Sequence, residues 1–264
     1  MRSSLVLFAA LATWFGLALL PAAAGVDKRP SPAASGSPEA SAAASPAPSP
    51  TPSPGPMDAL AWRGIGPAVA GGRLAAIAGS DTDAALVYAG SAGGGVWRST
   101  NAMTSWKPVF DGQDVGSIGA IAISSRDAHD VWVGTGESNP RNDVSYGDGI
   151  YRTTDDAKTW THLGLAGTYA ISKISLDPRD PNVAVVAALG DPFRDSDERG
   201  VYRTIDGGKT WTKTLSLGPD SGAADLDRSV GEPNVLYAAM WQFHRSSWHL
   251  DSGGERDGLF KSTD

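Results

Sequence analysis

The chain has 264 residues, with 32 Gly, 18 Pro, 9 Trp and no Cys, and a formal net charge of −7. Dense Gly and Pro punctuation, without long Leu, Glu and Lys runs, excludes the helical classes and predicts many short strands joined by turns. The acidic balance, with no Lys/Arg block, excludes phosphate-backbone binding, so no nucleic-acid partner is expected and an anionic membrane surface is disfavoured; without Cys there are no disulfides, thiolate metal sites or Cys nucleophiles.

Residues 1–24 are predicted to be a signal peptide. Arg2 gives the positive n-region, Leu5 to Leu20 is an uncharged apolar run, and Ala22-Ala23-Ala24 is an A-x-A cleavage site before Gly25. The chain is therefore expected to be exported, to the periplasm, the cell surface or the medium, with membrane contact only if this segment stays uncleaved. Residues 25–56 are nearly all Ala, Ser and Pro. Such a stretch buries too little apolar surface to offset its ordering entropy and is predicted to be a disordered, semi-stiff linker.

Residues 57–264 carry an internal repeat. Ala59 to Ile65 has the pattern of a strand that closes a ring. Four aligned segments follow: Val96-Trp97-Arg98-Ser99-Thr100-Asn101 with Trp106, Ile150-Tyr151-Arg152-Thr153-Thr154-Asp155 with Trp160, Val201-Tyr202-Arg203-Thr204-Ile205-Asp206 with Trp211, and Leu259-Phe260-Lys261-Ser262-Thr263-Asp264. They recur at intervals of roughly 50 to 60 residues, the period of propeller blades. Within one unit, Ile118 to Ser124 alternates apolar and small residues, and Val131 to Thr135, Gly149 to Thr154 and Trp160 to Leu163 follow as three more strands. Blades are predicted at about 71–110, 115–164, 168–217 and 222–264.

The turn after the third strand explains its own residues. In Thr204-Ile205-Asp206-Gly207-Gly208-Lys209-Thr210-Trp211, the Asp206 carboxylate accepts turn N–H groups, the glycines supply positive φ, the Thr hydroxyls bond across the hairpin, and Trp211 is an apolar wedge between sheets. Asn101 and Trp106, Asp155 and Trp160, and Asp264 hold the matching positions. The first copy has Met103, and the second Ala157, where the third has Gly208. These residues are read as structural staples, not as catalytic or calcium-binding groups.

This wording, S/T-x-D-x-G-x-T/S-W, resembles the Asp box, or bacterial neuraminidase repeat, of bacterial sialidases, sortilin-type receptors and xyloglucanases. A narrower group, exported bacterial proteins labelled sortilin-like or glycosyl-hydrolase-like, is resembled between the boxes. The stretches are Trp62-Arg63-Gly64-Ile65-Gly66-Pro67-Ala68, Gly71-Gly72-Arg73, Gly134-Thr135-Gly136-Glu137-Ser138-Asn139, Gly147-Asp148-Gly149-Ile150-Tyr151, Arg199-Gly200-Val201-Tyr202, and Asn234-Val235-Leu236-Tyr237-Ala238-Ala239 running to Trp241. The resemblance covers Ala59 to Asp264. It implies an all-β fold, a β-propeller of four-stranded antiparallel blades with Asp-box turns. About four blades are expected here, as an open arc or a strained ring, the N-terminal fragment of a larger propeller.

Two enzyme relatives can be compared residue by residue. Sialidases hold the substrate carboxylate with arginines, one from an F/Y-R-I-P string; Trp62-Arg63-Gly64-Ile65-Gly66-Pro67 has two extra glycines. Xyloglucanases place a catalytic Asp in a T-D-x-G-G-x-Y-R string. Here Ser91-Ala92-Gly93-Gly94-Gly95-Val96-Trp97-Arg98 puts Ala92 at the carboxylate position, and Ala cannot do acid–base work.

A ligand face is expected opposite the turns, where the loops between second and third strands emerge: Ser91 to Gly95, Glu137 to Asp148, Gly190 to Gly200 and Gln242 to Gly258. Arg73, Arg141, Arg194, His244, Arg245 and Trp248 are the candidate ligand-binding residues, with Glu137 and Asp191 as candidate catalytic carboxylates. The competing reading is a salt-bridged rim that only holds long loops together. His244 and His249 fit no zinc spacing and Asp191 to Glu198 lacks EF-hand spacing, so no metal and no cofactor is expected. The function expected from the sequence is an exported binding or scaffold propeller for a protein or glycan, which includes a receptor or assembly role of the sortilin kind. The alternative is a sialidase-like or xyloglucanase-like glycoside hydrolase whose catalytic set is completed by further blades.

Overall fold

The computed structural model describes residues 72–264. The expected signal peptide, the expected linker, Arg63 and the expected closing strand Ala59 to Ile65 lie outside the described residues.

The regular elements among the described residues are all strands apart from one short 3-10 turn at Ala166–Thr168. The first sheet holds β1 (Leu74–Gly79), β2 (Val87–Ser91), β3 (Val96–Ser99) and β4 (Lys107–Pro108). The second holds β5 (Ile118–Ile123), β6 (Val131–Thr135), β7 (Ile150–Thr153) and β8 (Thr161–His162). The third holds β9 (Ile171–Leu176), β10 (Ala184–Ala188), β11 (Gly200–Thr204) and β12 (Thr212–Leu215). Each is a meander in which every strand pairs antiparallel with the next.

The fourth sheet departs from that plan. β13 (Ser221–Arg228) pairs with β14 (Leu236–Arg245), which pairs with both β15 (Leu250–Ser252) and β16 (Gly258–Ser262). Part of the stretch Gln242 to Gly258, expected as a loop, is thus a hairpin. It is built on the pairs Phe243 with Ser252, His244 with Asp251 and Arg245 with Leu250. Trp241 stacks on Phe243 at 4.4 Å, which stiffens the extended strand.

Side-chain alternation along the strands makes the core. On β6, Val131 and Val133 face the first sheet, in a cluster with Tyr88, Val96, Phe110, Ile118 and Tyr151. Trp132, between them in sequence, faces the third sheet with Ile150, Ile171, Val186 and Tyr202. Both faces of β6 and of β10 are covered, so all five residues of each strand are buried. Sheet contact is close: a Cβ at Gly90 would collide with Ile118, and one at Gly134 with Ile171. Neighbouring first strands pack in series, β1 beside β5, β5 beside β9 and β9 beside β13. Among the described residues β13 has no comparable packing on β1, so the four sheets form an open arc of β-propeller blades.

The connections from third to fourth strands share one hydrogen-bond pattern. In the third sheet Thr204 Oγ1 donates to Asp206 Oδ1 (2.8 Å), which also accepts Thr210 N–H (2.9 Å); Asp206 Oδ2 accepts Thr210 Oγ1 (2.6 Å). Asp155 repeats this with Thr153 and Thr159. In the first sheet Asn101 Oδ1 accepts Ser99 Oγ and Ser105 N–H while its amide donates to Ser105 Oγ. Ser262 donates to Asp264 at 2.6 Å.

Trp160 and Trp211 then wedge between sheets. Trp160 Nε1 donates to Val109 O (2.7 Å) and its ring meets Phe110 edge-on. Trp211 Nε1 donates to Leu163 O (2.7 Å) with its ring edge-on to Trp132. Trp106 is half-buried. The corresponding space between the third and fourth sheets is a cavity of about 580 Å³ lined by Val185, Leu215, Leu226 and Phe260 among others.

Candidate ligand face

The chain reverses between second and third strands at the sheet ends opposite the repeated turns. Arg73 stands just before β1 and Glu137 just after β6. Their side chains meet in a two-pronged pair, Nε to Oε1 at 2.9 Å and Nη2 to Oε2 at 2.6 Å. The Glu137 side chain is 1% exposed, and its N–H donates to Ser117 Oγ (2.9 Å). Asp143 lies 3.8 Å from Arg73 and Arg141 lies 3.9 Å from Glu137. Three of the sequence candidates, Arg73, Glu137 and Arg141, therefore belong to one cluster.

The cluster is joined to the fourth sheet. Asn142 Oδ1 accepts both Nε (2.9 Å) and Nη2 (2.5 Å) of Arg245, and Asn142 Nδ2 donates to Ser247 O (2.9 Å). The Arg245 N–H donates to Pro192 O (2.7 Å), so the long connections of the second, third and fourth sheets form one continuous face.

Asp191 and Arg194 form a second pair, Nε to Oδ2 at 2.6 Å; Asp191 Oδ1 also accepts the Phe193 N–H. Beneath them Arg199 is wholly buried without a carboxylate partner. Its guanidinium donates to the carbonyls of Asp220, Phe243, Asp191 and Arg194 and lies 4.4 Å from the Phe243 ring centroid. Burial lowers its pKa. Arg199 thus ties two connections and β14 together through their backbones.

Trp248, 88% exposed, sits at the tip of the β14–β15 hairpin. His244 is exposed on β14, and His249 Nε2 is 2.8 Å from Asp251. Among the described residues no three His, Cys, Asp or Glu side chains converge as metal ligands. Ala92 is buried, with its N–H donating to Arg73 O (3.0 Å).

Residues the sequence did not single out also belong to this face. Asn142 and Arg199 hold it together, and the rings of Tyr146 and Tyr169 lie 6.0 Å apart on it. The Arg199-Gly200 step was the available signal for Arg199, because Gly200 at φ 137 lets the chain turn where the guanidinium folds back.

No family model matches the chain. It is 26% identical over 200 residues to a xyloglucanase of a Paenibacillus species, covering 70% of this chain and 19% of that protein. It is 26% identical over 220 residues to a xyloglucanase of Hypocrea jecorina, covering 78% of this chain and 25% of that protein. The chain thus spans about a fifth to a quarter of the length of these curated relatives. Among solved structures, the Niastella koreensis GH74 enzyme superposes with a TM-score of 0.52 at 19% identity, over 71% of this chain and 27% of that one. That likeness supports the β-propeller fold.

Proposed function

We propose that the face opposite the repeated turns binds an oligosaccharide of the xyloglucan kind, in an exported β-propeller. The observation that carries this reading is the Arg73–Glu137 pair continued through Asn142 to Arg245. It gives a rigid, polar, solvent-facing surface drawn from several sheets, with exposed Trp248 and Arg194 at its edge. Fixed guanidinium and amide groups suit sugar hydroxyls, and an exposed indole suits a sugar ring. The names of the curated relatives favour a glycan over a protein ligand. Export rests on Arg2, the Leu5 to Leu20 run and Ala22-Ala23-Ala24. The repeated turns are proposed to be Asp boxes, on the strength of the shared hydrogen bonds at Asn101, Asp155 and Asp206.

Titration calorimetry of the whole chain with xyloglucan oligosaccharides tests this reading. Binding is expected, weakened by Arg141→Ala and by Trp248→Ala with unchanged melting temperature. Wild-type protein that releases no heat with any of these sugars would overturn it.

A second reading, glycoside hydrolysis, is favoured by the relatives' names alone. Hydrolysis needs two carboxylates flanking the scissile bond, about 5 to 10 Å apart, one of them free to protonate the leaving oxygen. Glu137 and Asp191 each already accept a guanidinium, and Ala92 replaces the third candidate. On this reading the acid and base come from outside the described residues. Reducing-sugar release that survives Glu137→Gln and Asp191→Asn would support that assignment.

A further inference from the structure

Tyr169 has an unusual backbone. Its φ of 62° and ψ of −51°, with the Ala170 N–H donating to Thr168 O at 2.6 Å, define a γ-turn of the positive-φ kind. This turn is rare and strained for a residue with a Cβ. The surroundings hold it from both sides. Gly147 N–H donates to Tyr169 O (2.7 Å), Leu189 N–H donates to Ala170 O (3.0 Å), and Gly136 lies so close that a Cβ there would collide with the Tyr169 carbonyl. Strain maintained by several independent contacts points to a use for the conformation.

The conformation presents a ring. Tyr169 is half-buried and rests against Ala170, Leu189 and Phe243. Tyr146, from the long connection of the second sheet, is 69% exposed, and its ring lies 6.0 Å from that of Tyr169 at 52°. Burial, with a contribution from the Asp191 charge, raises the Tyr169 pKa, so the hydroxyl stays protonated and able to donate. Gly190 N–H also points to Ala170 O (3.4 Å), which brings the connection that carries Asp191 and Arg194 next to Tyr169.

We propose that Tyr146 and Tyr169 form a stacking platform for a pyranose ring, flanked by the exposed Arg194 guanidinium as a donor to its hydroxyls. A pyranose has an apolar C–H face and a polar rim. The electron-rich face of a phenol meets the first, and a guanidinium donates to the second. Both rings come from positions far apart in sequence, and the strained turn sets the angle between them. The inference rests on the oligosaccharide-binding reading and names a subsite within it.

The test uses the whole chain and xyloglucan oligosaccharides, with calorimetry as the readout and melting temperature as the control for folding. Tyr146→Ala removes an exposed ring and is expected to weaken binding roughly tenfold with the fold intact. Tyr169→Gly removes the other ring and suits the positive φ; it is expected to weaken binding by a similar factor. Tyr169→Phe keeps ring and backbone and is expected to stay within about threefold of wild type. Wild-type affinity in both Tyr146→Ala and Tyr169→Gly, while Trp248→Ala still weakens binding, overturns the platform and leaves the broader reading standing. Absence of binding by the wild type overturns both.

Discussion

Arg73 and Glu137, 64 residues apart, are joined by two parallel hydrogen bonds that bridge the start of the first sheet to the inner end of the second. The carboxylate is almost fully buried while the guanidinium reaches toward solvent. The pair fixes how two neighbouring blades meet at the sheet ends opposite the repeated turns. Arg73→Ala is expected to lower the melting temperature by about 5 °C, because the buried Glu137 carboxylate loses its charge partner and the two connections lose their tie. Arg141→Ala, whose contact with Glu137 is longer at 3.9 Å and more exposed, should change it little. Thermal melts of the two variants side by side check this; equal losses would mean that the Arg73 bridge is not what fixes the sheets.

The repeated turns place two consecutive residues at positive φ. These are Ala102 (52°) and Met103 (67°) in the first, Asp156 (68°) and Ala157 (62°) in the second, and Gly207 (74°) and Gly208 (87°) in the third. A left-handed residue with a Cβ costs about 1–2 kcal/mol. Met103 is 53% exposed, so Met103→Gly relieves strain and gives up little packing. After the greater unfolded-state entropy of Gly, a net gain of about 0.5–1 kcal/mol is expected in urea unfolding. Ala157 is buried in the core between the first and second sheets. There Ala157→Gly also loses a packed methyl and is expected to be close to neutral. A stabilised Ala157→Gly with an unchanged Met103→Gly would reverse the argument.

Trp211 fills the space between the second and third sheets and donates to Leu163 O. Trp211→Ala is expected to cost about 3 kcal/mol, the lower end for such truncations because the indole is half-buried. Trp211→Phe keeps most of the apolar fill and loses the hydrogen bond, for an expected cost of about 1 kcal/mol. Chemical denaturation of the two variants separates wedge from hydrogen bond. Equal losses would assign the whole effect to the Nε1–H.

These turns were legible in the sequence because their chemistry is local: Thr204, Asp206, Gly208 and Thr210 bond within seven residues. The strands were legible where apolar and small residues alternate with the pleat, as from Ile118 to Ser124. The charged residues of the connections between second and third strands could be placed at the sheet ends opposite the turns, yet their pairing could not be read. Arg73 meets Glu137, and Asn142 meets Arg245, only after whole sheets have packed. The β14–β15 hairpin was hidden because His244-Arg245-Ser246-Ser247 lacks apolar alternation; it forms by extension of an existing strand and the stacking of Trp241 on Phe243. Tyr169 was hidden for a stronger reason. Its local preference opposes the positive φ that Gly147 and Leu189 impose on it.

The turn carboxylates set the acid limit of stability. Hydrogen bonds from Thr159 N–H and Oγ1, then from Thr153, hold Asp155 at about 2, below its ordinary 3.8. Thr210 and Thr204 hold Asp206 at about 2 in the same way. A depressed folded-state pKa contributes stability that is fully present above the unfolded value and lost as the pH falls through the folded one. The chain is therefore expected to keep this contribution above about pH 4 and lose it toward about pH 2. Asn101 shows how to remove the dependence, since its amide oxygen accepts Ser105 N–H and its amide nitrogen donates to Ser105 Oγ without titrating. The double variant Asp155→Asn, Asp206→Asn should keep its turns and show a shallower fall in melting temperature between pH 4 and pH 2 than wild type. His129 works at the other end of the range. Its hydrogen bond to Asp156 raises its pKa, so its contribution is present below the ordinary 6.5 and lost as the pH rises through the raised value. Asp156→Asn should flatten that upper step and also make the acid limb a little shallower, because His129 and Arg98 hold the Asp156 carboxyl below its usual range; an upper step that persists in this variant would mean that another group sets it.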